Sequence, residues 1–250
     1  MEAGLNTGPH PVSCGHPIFD SVRLLFGRLK EFSLEELNFL AEEKKICTES
    51  GKSIRFVPPS ASDPYYEVDL YQTGRVQTRP ENKHDLFNAL CWLAFPKTKA
   101  RINAMHAAEI PKEGGKRGRL RDMLTIFDEG GAIVAGTPDI VELVRAARWR
   151  ELFVERHRDF RIVVLGHAVL EQALQLSGPP RPSITCKVVF ADPAQDLDAQ
   201  AARAISALQT PKQLPPLPVF GYPGWLPESG RPEFYADARY FRPAASAAAR

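Results

Sequence analysis

The chain has little of what would rigidify a small protein by covalent or metallic means. It holds 4 cysteines in 250 residues, and no two stand at the C-x-x-C spacing of a zinc knuckle or redox pair. Cys91 and Cys186 lie in apolar runs and read as small core residues. This usage fits a reducing compartment, so a cytoplasmic location is expected. Long hydrophobic runs are also missing. The longest, residues 89–95 and 162–170, fall far short of the roughly 20 residues that cross a bilayer, so no membrane partner is expected. Met1-Glu2-Ala3-Gly4-Leu5 lacks the basic and apolar regions of a secretory signal, and none is expected. No G-x-G-x-x-G and no G-x-S-x-G occurs. Ser50-Gly51-Lys52-Ser53 ends like a phosphate-binding loop, but Ile46 stands where the earlier glycine belongs.

What is present is ordinary globular material: 44% apolar and 25% charged residues, in a length suited to one large domain. The net charge of +2 conceals an asymmetry. Residues 75–121 hold 11 Lys and Arg against 4 Asp and Glu, so the rest of the chain is acidic. Such a stretch is a candidate face for an anionic partner, or a solvated helix surface with a charged loop.

The expected organisation is a loose extension over residues 1–16, a single globular domain over 17–243 and a disordered tail over 244–250. Apolar spacing predicts a helix over 17–30. Ser33 and Glu36 form a capping box that opens a second helix, to about Lys45. Residues 54–57 read as a strand. Residues 65–71 and 75–78 read as strands of a hairpin around Gln72-Thr73-Gly74. Helices are expected over 84–94 and 96–107, the latter with Pro96 at its first position. Residues 110–118 read as a loop, and 121–128 and 132–135 as a second hairpin around Glu129-Gly130-Gly131. Helices over 138–147 and 149–158, a strand over 161–165, a helix over 167–176, a strand over 184–190 and a helix over 197–208 follow. The last forty residues are irregular, rich in proline and aromatics, and expected to lie anchored on the core. The fold class is α+β: a mixed or antiparallel sheet with hairpins, packed against several helices.

Three clusters carry candidate chemistry. His84 and Asn88 share one helical face; Lys99, Asn103 and His106 share another. Imidazole, amide and ammonium groups converging there would form an acid–base site, with His84, Asp85, Asn88, His106 and His167 as candidate catalytic residues. The bland counterpart is that His84 and Asp85 cap a helix and the asparagines are buried polar groups. Second, Asp122 and Asp128 would point to one side of a strand, and with Glu129 they are candidate hard ligands for Mg²⁺ or Mn²⁺. They also read as strand-end and turn residues. Third, His167 and Glu171 stand one helical turn apart, so they can share a metal ion, or the carboxylate can fix the ring's tautomer. Lys99, Asn103, Arg117, Arg119 and Arg121 are candidate substrate-binding residues. His84-Asp85 has the form of the metal-binding pair of the HD phosphohydrolases, but the upstream histidines, His10 and His16, fall in the loose extension.

The run from Arg79-Pro80-Glu81-Asn82-Lys83-His84-Asp85 through Trp92 and Lys99 to Asn103 and His106 resembles the core motif of an uncharacterised bacterial family, domain of unknown function 3025. Leu120-Arg121-Asp122, Phe127-Asp128-Glu129-Gly130, Phe153-Val154-Glu155-Arg156, Gly166-His167-Ala168 with Glu171, and Leu217-Pro218-Val219-Phe220-Gly221-Tyr222-Pro223-Gly224-Trp225 resemble its later blocks. The resemblance implies a bacterial, single-domain, soluble protein and carries no activity, cofactor or substrate with it. The expectation drawn from the residues is a metal-dependent hydrolase acting on a phosphate-containing or nucleic-acid substrate, with a divalent metal as cofactor. The open alternatives are a non-catalytic anion- or nucleic-acid-binding module using residues 97–121, and a purely structural polar cluster.

Overall fold

The computed structural model describes residues 15–60, 66–174 and 184–243. Residues 1–14 of the expected 1–16 extension and the tail (244–250) fall outside the described residues, but His16 is held in place. Its Nδ1 accepts the Ile18 N–H at 3.1 Å and its Nε2 donates to the Trp225 carbonyl at 2.7 Å.

The expected helix over 17–30 is broken into a 3-10 turn, Pro17–Phe19, and α1 (Arg23–Phe26), although its apolar residues Ile18, Val22, Leu25 and Leu29 are all buried. The capping box forms as expected and opens α2 (Leu34–Glu43), with the Glu36 N–H on Ser33 Oγ and the Ser33 N–H on the Glu36 carboxylate.

The first expected hairpin is absent. β1 (Arg55–Val57) and β2 (Arg75–Gln77) pair in parallel, Phe56 opposite Val76, and the crossover between them is α3 (Tyr66–Thr73), not a strand. Glu67 and Asp69 lie in its first turn, where carboxylates oppose the positive helix end. Gly74 terminates it at φ +78°, its N–H bonded to the Leu70 carbonyl at 2.8 Å. The glycine read as a hairpin turn is a helix C-terminal residue.

Asn82 caps α4 (Lys83–Ala94), its side chain accepting the Asp85 N–H at 3.0 Å. Pro96 opens α5 (Pro96–Glu109) as expected. The next expected strand is a helix, α6 (Arg119–Gly130), so the second hairpin is absent too. Met123, Leu124 and Phe127 are buried at helical spacing along it, while Ile126, between the two aspartates of the strand reading, is 38% exposed. β3 (Gly131–Gly136), α7 (Pro138–Arg145), β4 (Phe160–Val164), α8 (His167–Leu174), β5 (Cys186–Ala191), α9 (Leu197–Ser206) and β6 (Pro216–Leu217) complete the order. Where a helix over 149–158 was expected, Glu151–Glu155 forms a single π-helical turn.

The principal sheet runs β4-β3-β5-β6 and is mixed: β3 is antiparallel to β4 and parallel to β5, and β6 is antiparallel to β5. β3 is covered on both faces, which is why its sequence is apolar without alternation. Ala132 and Val134 enter one cluster with α4, α8 and the C-terminal aromatics, and Ile133 enters another with α5, α6 and α9. The architecture is α+β. The C-terminal segment is held as expected by its aromatics: Trp149 Nε1 donates to the Arg242 carbonyl at 2.6 Å, and Phe153 stacks on Tyr235. No helix of the described residues is long and apolar enough to cross a membrane.

Candidate active site

A cleft of about 380 Å³ opens where α3, α4, α5, α6 and α8 meet. All five candidate catalytic residues line it: His84, Asp85 and Asn88 from α4, His106 from α5 and His167 from α8. Gly166 makes this meeting possible. A Cβ there would lie 2.6 Å from both the Glu129 carbonyl oxygen and the Gly131 nitrogen, so only glycine lets the start of α8 rest on the α6–β3 junction.

That close approach sets the first contact. His167 Nδ1 lies 2.8 Å from the Asp128 backbone carbonyl. A carbonyl oxygen only accepts, so Nδ1 carries the hydrogen. His167 is buried, and burial with the neighbouring Lys99 and His84 outweighs Asp128 to lower its pKa to about 4. The ring is therefore neutral near pH 7, with its lone pair on Nε2. That Nε2 faces His84 Nε2 at 3.1 Å. His84 Nδ1 in turn donates to Glu171 at 2.9 Å. Glu171 thus holds His84 on a neighbouring helix, rather than His167 on its own helix as the four-residue spacing suggests. With its hydrogen on Nδ1, His167 presents an Nε2 lone pair, so the two Nε2 atoms meet through a proton carried by His84 or through a cation held between them.

Behind the pair lies a buried ion network. Lys99, 4% exposed, donates to Asn88 Oδ1 at 2.7 Å and to the Asp128 carboxylate. Burial alone would raise the Asp128 carboxyl, but Lys99 and His167 outweigh it and hold it below its usual range. Asn103 donates to the Glu67 carboxylate at 2.7 Å and to its backbone carbonyl. Burial still pushes Glu67 above the ordinary carboxylate range, with Asp128 adding to the rise. Lys99 and Asn103 line a smaller inner cavity rather than the cleft, and the buried Asn103 Oδ1 has no hydrogen-bond partner among the described residues.

Arg121 Nε donates to His106 Nδ1 at 3.2 Å, and its Nη1 pairs with Glu113 at 2.7 Å. Because guanidinium only donates, Nδ1 of His106 is an acceptor and its hydrogen is on Nε2. Burial, followed by Arg121, Arg117 and Lys99, lowers His106 to about 4 against the pull of Asp128.

The remaining candidates separate. Asp85 lines the cleft but is held by Arg79, Nε at 2.8 Å and Nη2 at 2.9 Å. Asp128 and Glu129 line the cleft. Asp122, six residues from Asp128 on a helix, points elsewhere and pairs with Arg117 at 3.2 Å on the exposed side. Arg119 is exposed. Tyr66, Glu67 and Thr125 also line the cleft and were not singled out in the sequence, because reading α3 and α6 as strands hid their facing positions; Arg79, between β2 and α4, lines it too.

The basic stretch is largely neutralised. Arg79, Lys97, Lys99, Arg101, Lys112, Arg117 and Arg121 all form ion pairs with carboxylates. Among the described residues that line the cleft, Glu67, Asp85, Asp128 and Glu129 stand against Arg79; Arg79 pairs with Asp85, and Lys99 behind the lining pairs with Asp128.

A family model described as Protein of unknown function (DUF3025) matches residues 54–245, so every cleft-lining residue falls within it. The chain belongs to that family. Neither the curated proteins nor the solved structures contain a match to it.

Proposed function

We propose that the cleft is the active site of a hydrolase acting on a phosphate-containing substrate, with His84 as the group that reaches it. The observation that carries this reading is the Nε2-to-Nε2 contact of His84 and His167, each ring fixed at Nδ1 by an oxygen acceptor. A half-exposed imidazole oriented by a carboxylate is the usual form of a general acid or base. His167 sits behind it, buried and neutral, as the second nitrogen of the pair.

Charge supports the substrate class. The acidic lining repels a bare anion but accepts a phosphate that arrives with a cation. Lys83, beside His84 in sequence, and Lys116 and Arg119, before and at the start of α6, are exposed. They appear in no ion pair among the described residues, which leaves them to attract an anion at longer range. A module that binds polyanions through the whole basic stretch is less favoured, because most of its cations already face carboxylates. The structural alternative accounts for Lys99, Asn88 and Asp128, but not for His84 at the cleft wall.

The test is hydrolysis of chromogenic phosphomonoesters and phosphodiesters and of single-stranded RNA and DNA. His84→Ala is expected to lower turnover by about 10²–10⁴-fold with little change in Tm. Turnover unchanged in His84→Ala would overturn the reading.

A further inference from the structure

We infer that the cation between His84 and His167 is a divalent metal ion with a preference for imidazole, such as Zn²⁺ or Co²⁺, bound through the two Nε2 atoms. This rests on the reading of the cleft as an active site; of the metal ligands that the sequence suggests it keeps His167 and leaves out the carboxylates.

Three observations choose a metal over a proton. The first is ring posture. A linear N–H···N bond between head-on imidazoles would put their centroids about 5.4 Å apart, since hydrogen bonds prefer to be straight. The observed centroids are 4.5 Å apart, with the planes inclined by 75°. The ring axes are bent away from the line between the nitrogens. That weakens a direct bond and suits two ligands sharing a third atom.

The second is the bite. At Zn–N distances of about 2.0–2.1 Å, nitrogens 3.1 Å apart subtend about 98° at the metal, between the octahedral and tetrahedral angles.

The third is the outer arrangement. Each ring gives its other N–H to an oxygen, His84 to the Glu171 carboxylate and His167 to the Asp128 carbonyl. This is how metal-ligating histidines are commonly oriented. Glu129 in the lining and Glu171 behind His84 contribute countercharge. Among the described residues, no three His, Cys, Asp or Glu side chains are grouped to hold a metal ion. The other coordination positions therefore fall to water and substrate. Such a site is open, holds its metal weakly, and lets a substrate phosphate complete the coordination. It also explains how an acidic cleft takes an anionic substrate.

The experiment is equilibrium dialysis of chelator-treated, untagged protein against ZnCl₂ and CoCl₂, with the visible Co²⁺ spectrum as a second readout. One ion per chain is expected. His84→Ala and His167→Ala should each abolish binding, Glu171→Gln should weaken it about 10–100-fold, and His157→Gln, outside the cleft lining, should leave it intact. Metal-free Tm values separate ligand loss from misfolding. If His167→Ala fails to fold, His84→Ala and Glu171→Gln carry the test alone. No binding, or binding that survives His84→Ala, overturns the inference. Phosphoester hydrolysis that needs His84 but resists EDTA also overturns it and leaves the hydrolase standing. One His84-dependent ion per chain without any hydrolysis supports the metal site and counts against the hydrolase.

Discussion

Asp128 meets His167 through its main chain, not its side chain: the carbonyl oxygen is 2.8 Å from His167 Nδ1, whereas the carboxylate oxygen Oδ2 is 3.7 Å away. The carboxylate is left for Lys99. One residue at the end of α6 thus orients an imidazole with its backbone and neutralises a buried ammonium with its side chain.

Breaking that ion pair from one side leaves a charge buried without a partner. Lys99→Met is expected to cost about 3–5 kcal/mol, read by urea or thermal unfolding. Adding Asp128→Asn should recover part of the loss, because the uncompensated carboxylate is then gone. Additive losses would mean the two side chains are not coupled.

Gly166→Ala tests the close approach. The added Cβ meets backbone atoms on two sides, so α8 must shift. The expected cost is about 1–3 kcal/mol, and the His84–His167 contact should open. A variant with unchanged Tm would show that the junction has slack.

Stability should fall in mild acid. Folded His106 takes a proton only near pH 4, against 6.5 for an unperturbed histidine, so between those values the unfolded chain holds the extra proton. The contribution of His106 is fully present above pH 6.5 and is lost as pH falls toward 4, by about 3 kcal/mol. His167 is lowered for the same principal reason, burial, and adds to the slope. Denaturant midpoints measured from pH 7 to pH 4 should drop steeply for the native sequence and less so for His106→Gln. Identical slopes would mean that His106 is not held neutral.

Thiol chemistry should divide the cysteines. Cys91 and Cys186 are fully buried and their thiols are pushed up to about 12 by that burial, whereas Cys47 is exposed. In a Cys14→Ser background, a maleimide should label one thiol rapidly in the folded protein and three after denaturation. Rapid native labelling of two or more would contradict the burial.

Much of the site was legible because helical spacing is strong where caps and apolar stripes agree. Pro96 and the capping box at Ser33 marked helix starts correctly, whereas the cap of α4 is Asn82 rather than His84 or Asp85; α4 and α5 put His84, Asn88 and His106 on faces that do converge. Two segments that line the cleft were misread. In α6, Asp122, Leu124, Ile126 and Asp128 alternate like a strand, while Leu120, Met123, Leu124 and Phe127 repeat like a helix, and burial followed the helix. In α3 only Leu70 is fully buried, so periodicity was nearly silent. Tertiary bonds of Glu67 to Asn103, and the positive φ of Gly74, carry the structure there. Contacts such as His84 with Glu171 join residues 87 positions apart, and spacing cannot show them.

That separation has a consequence for how the site comes into being. His84 and Glu171 share no local segment, and the chain between them builds β3, β4 and their covering helices. A fragment that lacks either α4 or α8 cannot present the paired imidazoles, so occupancy requires the two helices to be packed together. Whatever cation or substrate settles there draws the folding equilibrium toward the native state by mass action: a ligand at about 100 times its dissociation constant adds roughly 2.7 kcal/mol.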